Sequence, residues 1–228
     1  MNYVRSLGVS IVGVAFVLGV AITDSTAADP VFSGPQVGEM LPGFKLNGVY
    51  DELAGKTIAP LDDAGDSPIV IVFVHDLTRP GFALTRAITR YTESLKTAKV
   101  YVAWLSDDQS EAEAFLNRAR PSLNLNVPVG ISPDGGDGPG SYGLNRNVEL
   151  TILVGKAQKV TANFALVQPS LVDAEEIAAE VAKVVGKSAP SKAQLESMAF
   201  PGRIKMKRKE RTDRRSTDQT PAKASDRK

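Results

Sequence analysis

The sequence predicts an α/β fold, a three-layer α/β/α sandwich around a mixed central sheet. Two continuous runs of β-branched and aromatic residues, Ile69–Val74 and 100–105, are typical of strands buried on both faces of a sheet. A segment with helical periodicity follows each run, and strands that alternate with helices form a parallel core. Two more strand-like runs, 150–154 and 159–164, surround a short turn and add an antiparallel hairpin.

The residues before the first buried strand are expected to be mostly extended or turned. Residues 28–35 are an extended N-terminal segment, because Pro30 and Pro35 interrupt any regular element there. A strand-like alternation follows and ends near Leu46. Residues 49–68 are polar and rich in turn formers, so no element is assigned to them.

Helices are predicted after both buried strands and at the end of the domain. The first begins near Pro80, since proline is tolerated in a first helical turn, and its apolar residues recur at one-face spacing. The second is predicted from apolar positions in 112–119 and should end before Pro121. A short strand is expected at 126–131 and a last helix over 173–184.

Several motifs in this order resemble the thioredoxin-like fold in its redoxin branch, the alkyl hydroperoxide reductase/thiol-specific antioxidant family. Residues 37–46 (VGEMLPGFKL) resemble the opening motif of that family, and 69–74 resembles the strand that leads to its active site. The remaining matches are loop motifs at 106–108 (SDD), 132–135 (SPDG) and 142–144 (YGL). The resemblance covers residues 36–186, which we therefore expect to form the thioredoxin-like domain.

The resemblance also locates a degenerate active site. Redox-active members carry a CxxC motif or a peroxidatic cysteine after that strand, but this chain has 0 cysteines. The two CxxC positions fall on Thr78 and Gly81. The degenerate active-site loop comprises His75, Asp76, Thr78, Arg79, Pro80 and Gly81. Because thiol–disulfide exchange needs a thiolate, oxidoreductase or peroxidase activity through cysteine is excluded.

The second half of the family's redox site is altered as well. The resemblance places its cis-proline position on Glu149. A cis bond before a residue other than proline costs about 2.5–4 kcal/mol, so we predict a trans peptide bond there.

Nucleophilic catalysis and anion binding are the other functions considered for the loop, and the sequence supports both only weakly. A threonine hydroxyl needs an adjacent base to become a nucleophile, and His75 and Asp76, as neighbours on a strand, point to opposite faces. Arg79 and Arg86 flank the loop and are candidates for an anion site at the helix N-terminus, although such arginines are usually solvated.

No metal site or cofactor is predicted. One histidine and no cysteine leave only oxygen ligands, and Asp134 and Asp137 lack the spacing of a calcium loop. These aspartates suit a solvated turn instead. Asp107 and Asp108 follow a strand end, and we expect them to serve a loop and the N-cap of the next helix.

Both ends of the chain differ from the predicted domain. Residues 1–27 combine a basic start, an apolar run of about 16 residues and small residues near a cleavage position, which is typical of a secretory signal peptide. We therefore expect export to the periplasm, the cell envelope or the medium. An uncleaved N-terminal membrane anchor is the alternative.

The C-terminal region is strongly basic. Residues 187–201 are interpreted as a linker with a helical turn at 192–198. Residues 202–228 hold eleven Lys/Arg against four Asp/Glu, a net charge of +7, and residues 28–201 then carry −6. The tail has too few apolar residues to fold alone, so we expect a disordered tail that binds an anionic surface, lipid head groups or an acidic polymer. Nucleic acid fits the charge but not the export signal.

The sequence thus favours an exported, non-catalytic binding or interaction module whose partner, a protein or another envelope component, it does not identify. The alternative is a redoxin-family enzyme with a cysteine-free site near His75, Asp76, Arg79 and Glu149. A structural domain in a larger envelope assembly is the third possibility. An acidic cleft with converging side chains would favour the enzyme, and a filled loop region would favour the binding module.

Overall fold

A seven-stranded mixed sheet forms the centre of the protein in the computed structural model, which describes residues 31–201. The strands are β1 (Leu46–Gly48), β2 (Thr57–Ile58), β3 (Ile69–Val74), β4 (Lys99–Trp104), β5 (Val129–Ile131), β6 (Leu150–Lys156) and β7 (Lys159–Leu166). Their order is β2-β1-β5-β4-β3-β6-β7. β3, β4 and β5 are parallel, and the remaining pairings are antiparallel. The predicted mixed α/β class is confirmed.

Within residues 31–201, five α-helices cover the sheet unequally. They are α1 (Pro60–Ala64), α2 (Arg79–Leu95), α3 (Gln109–Leu123), α4 (Asp173–Val185) and α5 (Lys192–Ala199). Side chains from α2, α3, α4 and α5 join one core, on the first face of the sheet. Side chains of α1 join a second core on the opposite face, together with the chain before β1. No helix within residues 31–201 is both long and apolar enough to cross a membrane.

Strand β3 separates the two cores because its side chains alternate between the faces of the sheet. Its three valines join the helical core, whereas Ile69, Ile71 and Phe73 join the opposite one. All six are at most 1% exposed. The Phe73 ring lies 5.5 Å from the Phe44 ring and 5.2 Å from the Tyr142 ring, and those two rings lie 5.1 Å apart, so the three form an aromatic cluster.

Truncation of this cluster tests the fold directly. We expect Phe73→Ala to lower the free energy of unfolding by about 3–5 kcal/mol, because it removes buried apolar surface and leaves a cavity. Phe32→Ala is the matched control, since Phe32 is 63% exposed and its loss should cost at most ~0.5 kcal/mol. Equal effects of the two substitutions in urea unfolding would contradict the burial of β3.

Helix α3 does not end before Pro121, as the sequence suggested, but continues to Leu123. The prediction was wrong because proline removes only one N–H donor, a small loss so close to the end of a helix. Leu123 is buried in the helical core, and Asn124 takes the left-handed conformation that ends the helix.

The prediction of a linker over 187–201 is also wrong. This segment contains α5, which begins with a capping box formed by Ser191 and Gln194. Leu195 is 1% exposed and Ala199 0% exposed within the helical core. The predicted helical turn is therefore a full helix that packs on the domain. The predicted signal peptide (1–27) and basic tail (202–228) lie outside the described residues.

Candidate functional site

The degenerate active-site loop lies at the edge of the sheet where the parallel strands have their carboxyl ends, the usual position of sites in α/β proteins. The loop follows β3, and Glu149, the residue before β6, lies beside it. The backbone N–H groups of His75 and Asp76 donate to the carbonyl of Glu149, with N···O distances of 2.9 and 3.2 Å. The structure therefore brings Glu149, to which the resemblance assigned the cis-proline position, against the loop with a trans bond, since residues 31–201 contain no cis peptide.

The hydroxyl of Thr78 occupies the centre of this site. It donates to Oε2 of Glu149 at 2.6 Å and accepts from the backbone N–H of Gly81 at 3.2 Å. The second bond makes Thr78 the N-cap of α2, and Pro80 lies in the first turn of that helix. A bond to a carboxylate is charge-assisted and stronger than one between neutral groups. Thr78 thus joins the helix terminus to β6.

Gly81, to which the resemblance assigned the second CxxC position, is closely packed. A Cβ atom placed on it would lie 3.0 Å from Cγ of Pro169 and 3.1 Å from Oγ1 of Thr78. Pro169 is buried and comes from the segment between β7 and α4. Sequence reasoning missed this neighbour because no local pattern relates it to the loop. A larger residue at Gly81 would require that segment to shift.

His75 contacts Thr151 rather than Thr78. Its Nε2 lies 3.1 Å from Oγ1 of Thr151, which lies 2.5 Å from Oγ of Ser33. Ser33 also accepts from the N–H of Asn145 at 3.0 Å. This series of hydrogen bonds connects the N-terminal segment to β6. The sequence gives one indication that Thr151 has a special role, because it is a polar residue inside an apolar strand.

Asp76 does not complete a catalytic arrangement with His75 and Thr78. Its side chain is exposed, and Oδ1 accepts from the neighbouring N–H of Leu77 at 2.7 Å. The three residues therefore have separate partners, which matches the expectation that neighbours on a strand end point apart.

Burial, and to a smaller extent the positive charge of Arg146, lower the pKa of His75 from 6.5 to about 4. Nδ1 is buried and has no hydrogen-bond partner among the described residues. The imidazole is therefore neutral at neutral pH.

This pKa predicts a stability loss in acid. The unfolded chain binds a proton at His75 near pH 6.5 and the folded protein only near pH 4, so stability falls as the pH decreases through this window. We expect His75→Asn to lose less stability than the wild type between pH 7 and pH 4.5, by roughly 1–2 kcal/mol after a discount for partial exposure. Urea unfolding at both pH values measures this difference, and parallel losses in the two proteins would contradict the assigned pKa.

The two arginines of the predicted anion site have different surroundings. Arg79 is exposed. Arg86 donates to the carbonyls of Leu123 at 3.2 Å, Ala199 at 2.8 Å and Ser122. Its guanidinium thus supplies hydrogen-bond donors to carbonyl groups at the carboxyl ends of α3 and α5, which gives Arg86 a structural role. The anion site would have to form without Arg86.

A substitution series separates these roles. Arg86→Met should lower the free energy of unfolding by about 2–3 kcal/mol, since it leaves helix-terminal carbonyls without their charged donor. Arg79→Met, in the same helix, should change it by at most ~0.5 kcal/mol. Thermal and urea unfolding provide the measurement, and equal stability of both variants would contradict the assigned role of Arg86.

The aspartates of the neighbouring loops are occupied by structural contacts. Asp108 is the N-cap of α3 and accepts from the N–H of Glu111 at 2.8 Å, as expected from the sequence. Arg146 binds Asp107 through two nitrogens, at 3.1 and 3.3 Å, and also pairs with Asp137. The N–H of Gly136 and then Arg146 lower the pKa of Asp107. In residues 31–201, no group of three potential metal ligands is brought together.

An apolar pocket, which we call the Trp104 pocket, lies beside the loop on the helical face. Leu77, Phe82, Trp104 and Leu125 are its partly exposed members. Its other lining residues are Val74, Thr85, Val102, Leu116, Leu123 and Val129. Its cavity volume is about 10 Å³, far below the ~300–1,000 Å³ of most small-molecule sites. No charged side chain lines it.

Solved structures with a similar fold include an uncharacterized conserved protein from Geobacillus kaustophilus, 14% identical with a TM-score of 0.50, covering 71% of this chain and 90% of that one. A hypothetical protein from Sinorhizobium meliloti 1021 is 12% identical with a TM-score of 0.50, covering 69% and 88%. A secreted thiol-disulfide isomerase from Corynebacterium glutamicum is 16% identical with a TM-score of 0.48, covering 64% and 86%. No family model and no curated protein sequence matches the chain.

At these identities the likeness shows the fold alone. The mixed sheet, with a helix after β3 and a terminal hairpin followed by α4, is the thioredoxin-like arrangement. The protein is therefore a divergent member of the thioredoxin-like fold that contains no cysteine.

Proposed function

We propose that this protein is an exported, non-catalytic binding module derived from the redoxin branch of the thioredoxin-like fold. One observation carries the proposal: the hydroxyl of Thr78 is held between Glu149 and the N–H of Gly81. The positions of a redox pair and its cis-proline are thus filled by a structural hydrogen bond. A site closed in this way supports recognition at its surface rather than chemistry within it.

The enzymatic alternative gains little support from the geometry. It required His75, Asp76, Arg79 and Glu149 to converge on a substrate. His75 is bonded to Thr151, Asp76 to its own loop, and Glu149 to Thr78. The pocket beside them is apolar, so the acidic cleft that would favour an enzyme is not formed by its lining residues.

The Trp104 pocket is the binding face that we propose. Its partly exposed apolar rim next to the loop suits an apolar side chain of a protein partner in the envelope. Residues 1–27 would direct export, and the basic tail would hold the protein near an anionic surface.

Redox assays test the absence of thiol chemistry. Purified mature protein should neither reduce insulin disulfides nor consume peroxide, because it contains no thiolate. A redox-active thioredoxin in the same assays is the positive control. Reproducible turnover in metal-free preparations would overturn the non-catalytic proposal.

A capture experiment tests the binding face. Tagged mature protein is incubated with its own envelope fraction, alongside a Leu77→Ser variant at the pocket and a Val37→Ser control, at a side chain that is 66% exposed and not in the pocket lining. The proposal expects the pocket variant alone to lose the captured partner. Retention by all three proteins would place the binding face elsewhere.

Vesicle binding tests the tail. Its net charge of +7 should bind anionic vesicles at low salt and release them at high salt, since exposed charges are screened over ~8 Å at physiological ionic strength. The full mature protein and a chain that stops at Phe200 are compared by co-sedimentation, with neutral vesicles as the control. Equal retention of both chains at every salt concentration would exclude the tail as the attachment element.

A further inference from the structure

Strand β7 forms one edge of the sheet, and the strand at the opposite edge, β2, has only 2 residues. The segment before β1 covers the beginning of β7. The N–H of Gly38 donates to the carbonyl of Val160 at 2.9 Å, and the N–H of Val160 donates to the carbonyl of Glu39 at 2.9 Å. Within residues 31–201, no backbone group pairs with the outer side of β7 beyond Val160. Most of this strand is therefore an open edge.

Alternation along the strand determines which backbone groups of β7 point outward. The carbonyl of Leu166 accepts from the N–H of Glu149 at 2.9 Å, so the backbone groups of Leu166 face β6. Successive residues of a strand direct their backbone groups to opposite sides, so those of Phe164 also face β6. The N–H and carbonyl groups of Asn163 and Ala165 therefore point away from the sheet, and both residues are partly exposed.

The open part of β7 lacks the features that normally prevent an edge strand from pairing with another chain. Natural edges are protected by charged side chains, by prolines or by bulges. Residues 160–166 contain no charged residue and no proline. The single bulge lies opposite Val154 and Gly155, before the open residues begin. Val167, directly after the strand, is an apolar residue that is 44% exposed. The edge is thus suited to pairing with a further strand.

The open edge is complementary to itself about Phe164. When two copies pair antiparallel around a two-fold axis at Phe164, Asn163 of each copy lies opposite Ala165 of the other. Each of these pairs exchanges two backbone hydrogen bonds, so every outward N–H and carbonyl of the two residues is satisfied. On the helical face the two Phe164 side chains become neighbours, and Ala162 lies opposite Leu166. All three side chains belong to the helical core or pack against it, so the apolar row continues from one copy to the next.

We propose that the mature protein forms a symmetric dimer in which β7 pairs antiparallel with β7 of a second copy, joining the two sheets into one. This pairing opposes no like charges, because residues 160–172 contain no charged residue. The same register brings Val167 of one copy toward Met40 of the other, which is 55% exposed and pairs with Lys159. Each copy uses its β7 edge once, so the assembly closes at two chains.

The dimer uses neither the degenerate loop nor the Trp104 pocket, so it is independent of the proposed function. The absence of cysteine from the chain permits a direct test of its register. Phe164→Cys places two thiols across the two-fold axis, where Cα atoms of a non-hydrogen-bonded pair are about 4.5 Å apart, within disulfide range. Leu166→Cys is the matched control on the same face, since its two copies lie about 13 Å apart along the strands, too far for a disulfide. Both mature proteins are oxidised mildly in dilute solution and analysed by non-reducing electrophoresis.

A second pair of variants tests the dimer without thiols. Ala165→Pro removes an outward N–H and leaves the pairing with β6 intact, because proline is tolerated in an edge strand when its nitrogen faces solvent. Val172→Ser is the control, at an apolar side chain that is 69% exposed and outside the strand. Sedimentation equilibrium of the mature proteins measures their mass, and circular dichroism verifies that all of them are folded.

We expect the wild type and Val172→Ser to have twice the mass of one chain, and Ala165→Pro to have the mass of one chain. Phe164→Cys should form a disulfide-linked dimer, and Leu166→Cys should stay reduced. A wild type that has the mass of one chain at every concentration would overturn the proposal, as would equal cross-linking of the two cysteine variants. A mass that keeps rising with concentration would also overturn it, because the contact would then not close.

Discussion

The hydrogen bond between the hydroxyl of Thr78 and the carboxylate of Glu149 is the interaction on which the site depends. It joins the N-terminus of α2 to the residue before β6, two points that are distant in sequence. The carbonyl of Glu149 accepts from two N–H groups of the loop after β3, so one residue holds the loop through both its backbone and its side chain. The loop is thereby held to β6 by three hydrogen bonds to a single residue.

The sheet beneath the site explains why such a loop can persist without a disulfide. Strand β3 supplies side chains to both cores and pairs with a parallel strand on one side and an antiparallel strand on the other. The chain of His75, Thr151 and Ser33 then attaches the N-terminal segment to the same edge. Arg86 likewise connects the carboxyl ends of α3 and α5, through hydrogen bonds to their carbonyl groups. Hydrogen bonds to main-chain and hydroxyl groups thus connect the loop to the rest of the domain.

The central strands, the start of α2 near Pro80 and the position of Glu149 opposite the loop were predictable from the sequence, because each depends on a local pattern or a motif. The partners were not predictable. Pro169 and Thr151 reach the loop only through the folding of distant segments. Helix α5 was predicted only as a helical turn within a linker, because only Leu195 and Ala199 of its residues are buried, too few for an apolar stripe. The extent of α3 depends on Arg86, whose bonds to terminal carbonyls leave no sequence signal.

A double-mutant cycle between Thr78 and Glu149 tests the central claim most directly. The free energy of unfolding is measured for the wild type, Thr78→Val, Glu149→Ala and the double variant, and the loss of the N-cap bond cancels in the cycle. We predict a coupling free energy of roughly 1–2 kcal/mol, as expected for a partly buried hydrogen bond to a carboxylate. A coupling near zero would contradict the account, because the hydroxyl and the carboxylate would then be free for another purpose.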